Sequence, residues 1–265
     1  MTETIRVETD ARGVATLTLA RLDKHNAMNA AMIAELAKAA DKLGANPAVR
    51  VVVLTGEGKS FCAGADLNWM RAQFAASREE RIIEATALAR MLKALNEMPK
   101  PLIGRVQGQA FGGGLGLIAV CDVAIASDGV RFAFTETKLG LIPATISPYV
   151  LARMGEGRAR RVFMSARLFD ADEAVSLGLL AQALPADDLD AAIEAEIAPY
   201  LACSPTAVAG AKALARSLGP VIDEATIAAT ARRLADIWET ADAPEGVGAF
   251  FDKRLAAFAT TGDEV

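Results

Sequence analysis

The sequence predicts an α/β protein whose last third is helical. Strand-like and helix-like stretches alternate through the first two thirds of the 265 residues. After about residue 145 apolar positions recur mainly at helical spacing. No linker rich in Pro, Gly or Ser and no low-complexity tract divides the chain, so the elements belong to one α/β core with a helical C-terminal part.

Residues 4–9 and 14–20 read as two strands joined by Ala11-Arg12-Gly13, with Ala15, Leu17 and Leu19 on one face and Thr16 and Thr18 on the other. Residues 29–43 place Met32, Ile33, Leu36, Ala39, Ala40 and Leu43 on one side of a helix. Residues 50–55 (RVVVLT) form a buried strand, followed by a Gly/Lys/Ser loop and the turn Cys62-Ala-Gly-Ala-Asp66. Asp66 is the expected N-cap of a helix opening at Leu67. A long helix over 78–98 ends before Pro101. Residues 102–107 and 122–127 are strands, and the glycine run between them opens a short helix. Helices follow over 147–154, 157–165, 171–177, 186–202, 205–217, 222–240 and 244–259, interrupted by an extended piece near 179–184.

Composition removes several classes of function. With 52% hydrophobic and 23% charged residues the chain is a well-packed globule. A net charge of −5 argues against nucleic acid or anionic membrane as partner. The start, MTETIRVETD, lacks a secretory signal, and no apolar run reaches the roughly 18 residues of a membrane helix. Three isolated cysteines, Cys62, Cys121 and Cys203, suit a reducing cytoplasm and give no disulfide framework. A single histidine, His25, excludes a multi-histidine zinc site. Gly58-Lys59-Ser60 lacks the upstream glycine of a phosphate loop, that position being Val53, and reads as a solvated turn. Gly114-Leu-Gly116-Leu-Ile-Ala119 leaves too short a helix for a dinucleotide fingerprint.

The remaining signals concern bare backbone. In the Cys62-Ala-Gly-Ala65 turn of Phe61-Cys-Ala-Gly-Ala-Asp66, and in Gly112-Gly113-Gly114, no bulky side chain obstructs approach to the main-chain N–H groups. Two N–H groups converging on one point make an oxyanion hole. The triple glycine also follows a strand at a helix N-terminus, where free N–H groups and the helix dipole favour negative charge. Glycines there also serve tight turns and close helix packing. Cys62 reads as a small buried hydrophobe rather than a nucleophile. A lone carboxylate such as Glu136 usually lies at the surface. Here it stands between Phe132-Ala-Phe134 and Leu139-Gly-Leu-Ile-Pro143, and desolvation would raise its pKa toward neutrality.

Taken together, these segments resemble the crotonase superfamily, the enoyl-CoA hydratase/isomerase family, along nearly the whole chain. The resemblance rests on Arg21-Leu-Asp-Lys-His-Asn-Ala-Met-Asn29, Phe61-Cys-Ala-Gly-Ala-Asp-Leu67, Gly108-Gln-Ala-Phe-Gly-Gly-Gly114, Cys121-Asp-Val-Ala-Ile-Ala126, Glu136 with Leu139-Gly-Leu-Ile-Pro143, and Phe250-Phe-Asp-Lys-Arg254. It implies a spiral of strand–strand–helix turns over residues 1–200. A helical region over 201–265 would serve oligomerisation and closure of the CoA pocket. It also implies an acyl-CoA thioester substrate, no metal or redox cofactor, and trimers pairing into hexamers.

Carried over by position, the oxyanion-hole N–H groups belong to Ala65 and Gly113 and the general acid/base is Glu136. Lys24, Ala27, Ala63, Asp66 and Leu67 would line the CoA path. Phe250 and Lys253 would reach CoA, often from a neighbouring subunit. Family hydratases carry two glutamates, and the first aligns with Gly116. Isomerases of the family often manage with one. Ala63-Gly-Ala-Asp-Leu-Asn-Trp-Met70 and Leu141-Ile-Pro-Ala-Thr-Ile-Ser-Pro148 resemble a bacterial subgroup assigned as methylglutaconyl-CoA hydratase or as a hydratase of the related terpenoid glutaconyl-CoA, which implies hydration of 3-methylglutaconyl-CoA, as in leucine breakdown, or of a related branched carboxylated enoyl-CoA. There the substrate's own carboxylate is expected to help position water in room left by Gly116. The alternatives are an enoyl-CoA isomerase using Glu136 alone and a non-catalytic or RNA-binding relative, the latter disfavoured by the acidic charge balance.

Overall fold

The computed structural model describes residues 4–260. Two sheets carry the strands. The first has the order β1 (Ile5–Thr9), β2 (Val14–Leu19), β3 (Val51–Gly56), β5 (Leu102–Val106), β7 (Val123–Ser127) and β10 (Gln182–Leu184). Only β1 with β2 pairs antiparallel; the other neighbours are parallel. The second has the order β4 (Ser60–Cys62), β6 (Gln109–Phe111), β8 (Arg131–Ala133) and β9 (Phe169–Asp170), parallel except for β8 with β9.

Consecutive strands thus go to different sheets: β3 then β4, β5 then β6, β7 then β8. Each such pair is followed by helix, which makes a spiral of strand–strand–helix turns. After β4 come α2 (Leu67–Ala75) and α3 (Arg78–Glu97), after β6 comes α4 (Gly113–Ala119), and after β8 come a 3-10 turn (Glu136–Leu139), α5 (Ser147–Met154) and α6 (Glu156–Phe163). Because successive turns repeat the same path, the ends of β4, β6 and β8 are stacked beside one another, and the site is built there.

Local chemistry explains the boundaries. Asn29 caps α1 (Ala30–Ala45), accepting from Met32 N at 2.9 Å. Ser77 and Glu80 form a reciprocal capping box at the start of α3. All six residues of β3 are buried, as expected of a parallel strand covered on both faces. Leu17 and Leu19 of β2, Met32 and Leu36 of α1, and Leu92 and Leu95 of α3 share one core. Each such burial contributes about 1.5–3 kcal/mol.

The second sheet is built of strands two or three residues long, too short to show a period of their own. One expectation needs correction. The helix expected over 244–259 is α11 (Asp242–Asp252), and it stops at Lys253, which adopts left-handed φ 53. The remaining C-terminal helices are α7 (Ala171–Ser176), α8 (Leu189–Leu201), α9 (Pro205–Ser217) and α10 (Glu224–Trp238). No described helix is long and apolar enough to cross a membrane.

Candidate active site

After β4 the chain turns through Gly64, which has φ +91. A Cβ there would lie 3.0 Å from the Phe111 carbonyl oxygen and 3.9 Å from the Gly113 nitrogen, so only glycine lets the two loops approach. Ala65 pairs with Met28 as an isolated parallel bridge. Met28 N donates to the Gly64 carbonyl at 2.7 Å and Asp66 N donates to the Met28 carbonyl at 2.8 Å. In such a bridge the N–H of the middle residue points away from the partner, and the Ala65 N–H has no acceptor among the described residues.

Gly112, at the end of β6, adopts φ 48 and ψ −117 and donates to the Ala133 carbonyl at 3.0 Å. Gly113 then opens α4, and its N–H, in the first helical turn, likewise has no acceptor among the described residues. Two unpartnered N–H groups therefore stand on adjacent loops.

Glu136 faces the same turn. A Cβ on Gly112 would lie 3.0 Å from Glu136 Oε1, so the missing side chain makes room for the carboxyl. Oε2 is shut off from solvent and accepts no hydrogen bond. Burial pushes its pKa up to about 7, against a smaller lowering by its own backbone N–H. A carboxyl with its pKa near 7 can gain or lose a proton at neutral pH, and two unpartnered N–H groups stand beside it. Its turn is held by Leu141 N donating to the Glu136 carbonyl at 2.9 Å and is backed by α11.

These groups open on a cavity of about 500 Å³. Its walls are largely apolar, including Met28, Met70, Leu141 and Trp238, with Trp69, Lys138 and Arg254 as polar-tipped members. The indole N–H of Trp69 is buried without a partner. Among the described residues no His, Cys, Asp and Glu cluster could hold a metal ion. Cys62 is buried beneath the loop, and burial pushes its thiol up to about 12. His25 contacts Ser60 Oγ at 3.2 Å and lies outside the cavity lining.

The predicted site residues divide. Glu136, Ala65, Gly113, Ala63, Leu67 and Phe250 line this one cavity, Phe250 from the same chain. Lys24, Ala27, Asp66 and Lys253 do not. Lys24 is exposed on a 3-10 turn (Leu22–Lys24) with Asp23 at 3.8 Å, and Lys253 caps α11. Ala27 is buried and its carbonyl accepts from Arg21.

Asp66 requires a correction. Its side chain is only 6% exposed, and it pairs with Arg21 Nη2 at 2.9 Å. Its carboxylate accepts from Asn68 N at 2.8 Å and Trp69 N at 3.2 Å, capping α2. Its carboxylate is therefore occupied within the protein and does not line the cavity. Burial pushes its carboxyl up, but the bonds from Arg21, Trp69 and Asn68 together hold it below its ordinary value.

Gly116 is the second correction. It is buried, and a Cβ there would lie 2.5 Å from Ile146 Cγ2 and 3.0 Å from Ile146 Cβ, with Leu92 Cδ1 at 3.5 Å. The expected room for water at this position does not exist. Arg21, Trp69 and Ile146 were not singled out from the sequence, although each lies inside a motif quoted above.

The arrangement puts a buried carboxyl and two N–H groups without acceptors on one largely apolar cavity. The enoyl-CoA hydratase/isomerase family model matches residues 9–261, and the chain belongs to that family. An enoyl-CoA hydratase structure from Shewanella pealeana is 42% identical, with TM-score 0.79, covering 96% of both chains. One from Mycobacterium smegmatis is 34% identical with TM-score 0.78, covering 97% of this chain and 99% of that one. Enoyl-CoA hydratase ACTT6 of Alternaria alternata is 33% identical over 209 residues, 77% of this chain and 67% of that protein.

Proposed function

We propose that the enzyme hydrates a 2-enoyl-CoA thioester at Glu136, Ala65 and Gly113. The thioester oxygen accepts from the Ala65 and Gly113 N–H groups. Ionised Glu136 takes a proton from water as the water oxygen bonds to Cβ. The C=C electrons move to the thioester oxygen, giving an enolate held by the two N–H groups. Glu136, now protonated, returns its proton to Cα. Substrate, water and product balance without a redox partner. One carboxyl serves both transfers, so oxygen and proton add to the same face. The observation that carries this reading is the buried Glu136 carboxyl, its Oε2 without a partner and its pKa raised to about 7, on the cavity that Ala65 and Gly113 also line.

We infer further that the acyl group bears an acceptor such as a distal carboxylate, as in 3-methylglutaconyl-CoA. The unpartnered Trp69 N–H and the presence of Lys138 in the cavity wall support this. A second reading, isomerisation by Glu136 alone, is favoured by the filled space at Gly116, since one carboxyl suffices to move a proton between two carbons. Reaction in oxygen-18 water separates them: hydration puts the label in product and isomerisation leaves it out. Comparing crotonyl-CoA with 3-methylglutaconyl-CoA tests the acyl group, and equal kcat/KM removes the distal carboxylate from the account.

We also propose that residues 201–265, of which 261–265 lie outside the described residues, form the region that closes the pocket and joins subunits into trimers or hexamers in a reducing cytoplasm. Phe250, Leu255 and Phe258 line the cavity from this region. Helix α9 buries none of its residues, and nearby Leu218 is 80% exposed. Sedimentation at three or six chain masses is the expected result; a monomer mass contradicts it.

A further inference from the structure

Asp66 raises an electrostatic question that the site alone does not answer. It adjoins Ala65, whose N–H is proposed above to bind the enolate oxygen. Its carboxylate is buried and, given its hydrogen bonds, ionised at neutral pH. A fixed buried anion one residue from an oxyanion-binding N–H opposes the negative charge that must form there, and in a desolvated site that opposition is poorly screened.

Arg21 meets this anion. Nη2 lies 2.9 Å from Asp66 Oδ2, and Nη1 donates to the Ala27 carbonyl. Ala27 precedes Met28, and Met28 forms the bridge to Ala65. One guanidinium therefore holds both sides of the bridge that aims the Ala65 N–H. Its side chain is only 15% exposed, so its charge acts with little screening by water. Asn26, also buried, fixes the Arg21 backbone by accepting from Arg21 N at 3.0 Å and itself donates to the Ser60 carbonyl at 2.8 Å. The loop is tied to β4 independently of the guanidinium, so the geometry has a second support, while Arg21 supplies the cation that meets the Asp66 charge.

We propose that Arg21 is a positioning residue of the oxyanion site: it clamps the Met28–Ala65 bridge and cancels the buried charge of Asp66, so that an enolate forms at Ala65 without an uncompensated anion beside it. The inference rests on the assignment of Ala65 to the oxyanion site, and its test keeps the two apart.

The probe is acetoacetyl-CoA, a 3-oxoacyl thioester whose enolate absorbs in the near ultraviolet. The measurement is the ratio of enolate to keto form when bound, at one pH. Wild-type protein is expected to enrich the enolate. Arg21→Met lowers the ratio about tenfold with a smaller change in total binding. Adding Asp66→Asn to Arg21→Met restores it to within about threefold, because Asn still caps α2 without the charge. Were the pair only a structural tie, the double variant would be no better than Arg21→Met, and the proposal would be overturned. Arg21→Lys and Asp66→Asn alone cover the case in which Arg21→Met does not fold. Arg21→Lys keeps the cation and stays within about threefold of wild type. Asp66→Asn raises the ratio. A ratio lowered by Asp66→Asn as by Arg21→Met overturns the charge role. Absence of any enolate band in wild type removes the oxyanion assignment itself, and an unchanged band in Arg21→Met removes only the role of Arg21.

Discussion

Glu136 is where burial becomes chemistry. A carboxyl raised to about 7 from 4.5 binds its proton more tightly folded than unfolded. Between those values the native state holds the extra proton, so stability falls as pH rises from about 4.5 to about 7, by up to ~3 kcal/mol. Urea melts across this window are expected to show that fall in wild type and a flatter profile in Glu136→Gln. The proposed mechanism needs the carboxylate, so kcat/KM should rise with pH and level off above about 7. A profile without an inflection near 7 would deny Glu136 this part. The desolvation of Glu136 was legible in the sequence because its apolar neighbours are adjacent in the chain, whereas the role proposed for it came from the family resemblance. Asp66 was legible only as an N-cap, since its partner Arg21 is 45 residues away and only the fold brings the two together. Gly116 misled for the same reason: the atom that fills its side-chain space belongs to Ile146.

At the scale of elements, the site depends on how helix ends meet loops. Helix α11 rests on the Glu136 turn almost backbone to backbone. A Cβ on Gly246 would lie 2.4 Å from the Leu139 carbonyl carbon, and one on Gly140 would lie 2.2 Å from the Asp242 carbonyl oxygen. Gly246→Ala should therefore cost about 2 kcal/mol by overpacking. It should also lower kcat/KM at least tenfold by moving the turn, read by thermal melting and steady-state kinetics on the same protein. Asp66→Ala removes a cap and leaves Arg21 buried without its anion, and a loss of about 3–5 kcal/mol in ΔG of unfolding is expected by denaturant titration. Long elements were legible because their periodicity spans many residues. The strands β4, β6, β8 and β9 are too short for period counting, and they exist because successive spiral turns place them side by side.

Across the whole molecule, the spiral puts the ends of β4, β6 and β8 together and so assembles a backbone site from segments far apart in sequence. The C-terminal residues Phe250, Leu255 and Phe258 then wall the cavity from the far end of the chain. The motif order carried this architecture through the family resemblance, which also implied a C-terminal region closing the pocket, whereas periodicity and composition alone did not join the first and last quarters. The measurement that bears most directly on the central claim is turnover of an enoyl-CoA by Glu136→Gln, with dissociation constants for the CoA thioester measured in parallel. The account predicts a loss of about 10²–10⁴ in kcat with binding changed little, because the amide keeps the shape and loses the proton transfer. A kcat within a few fold of wild type would contradict it.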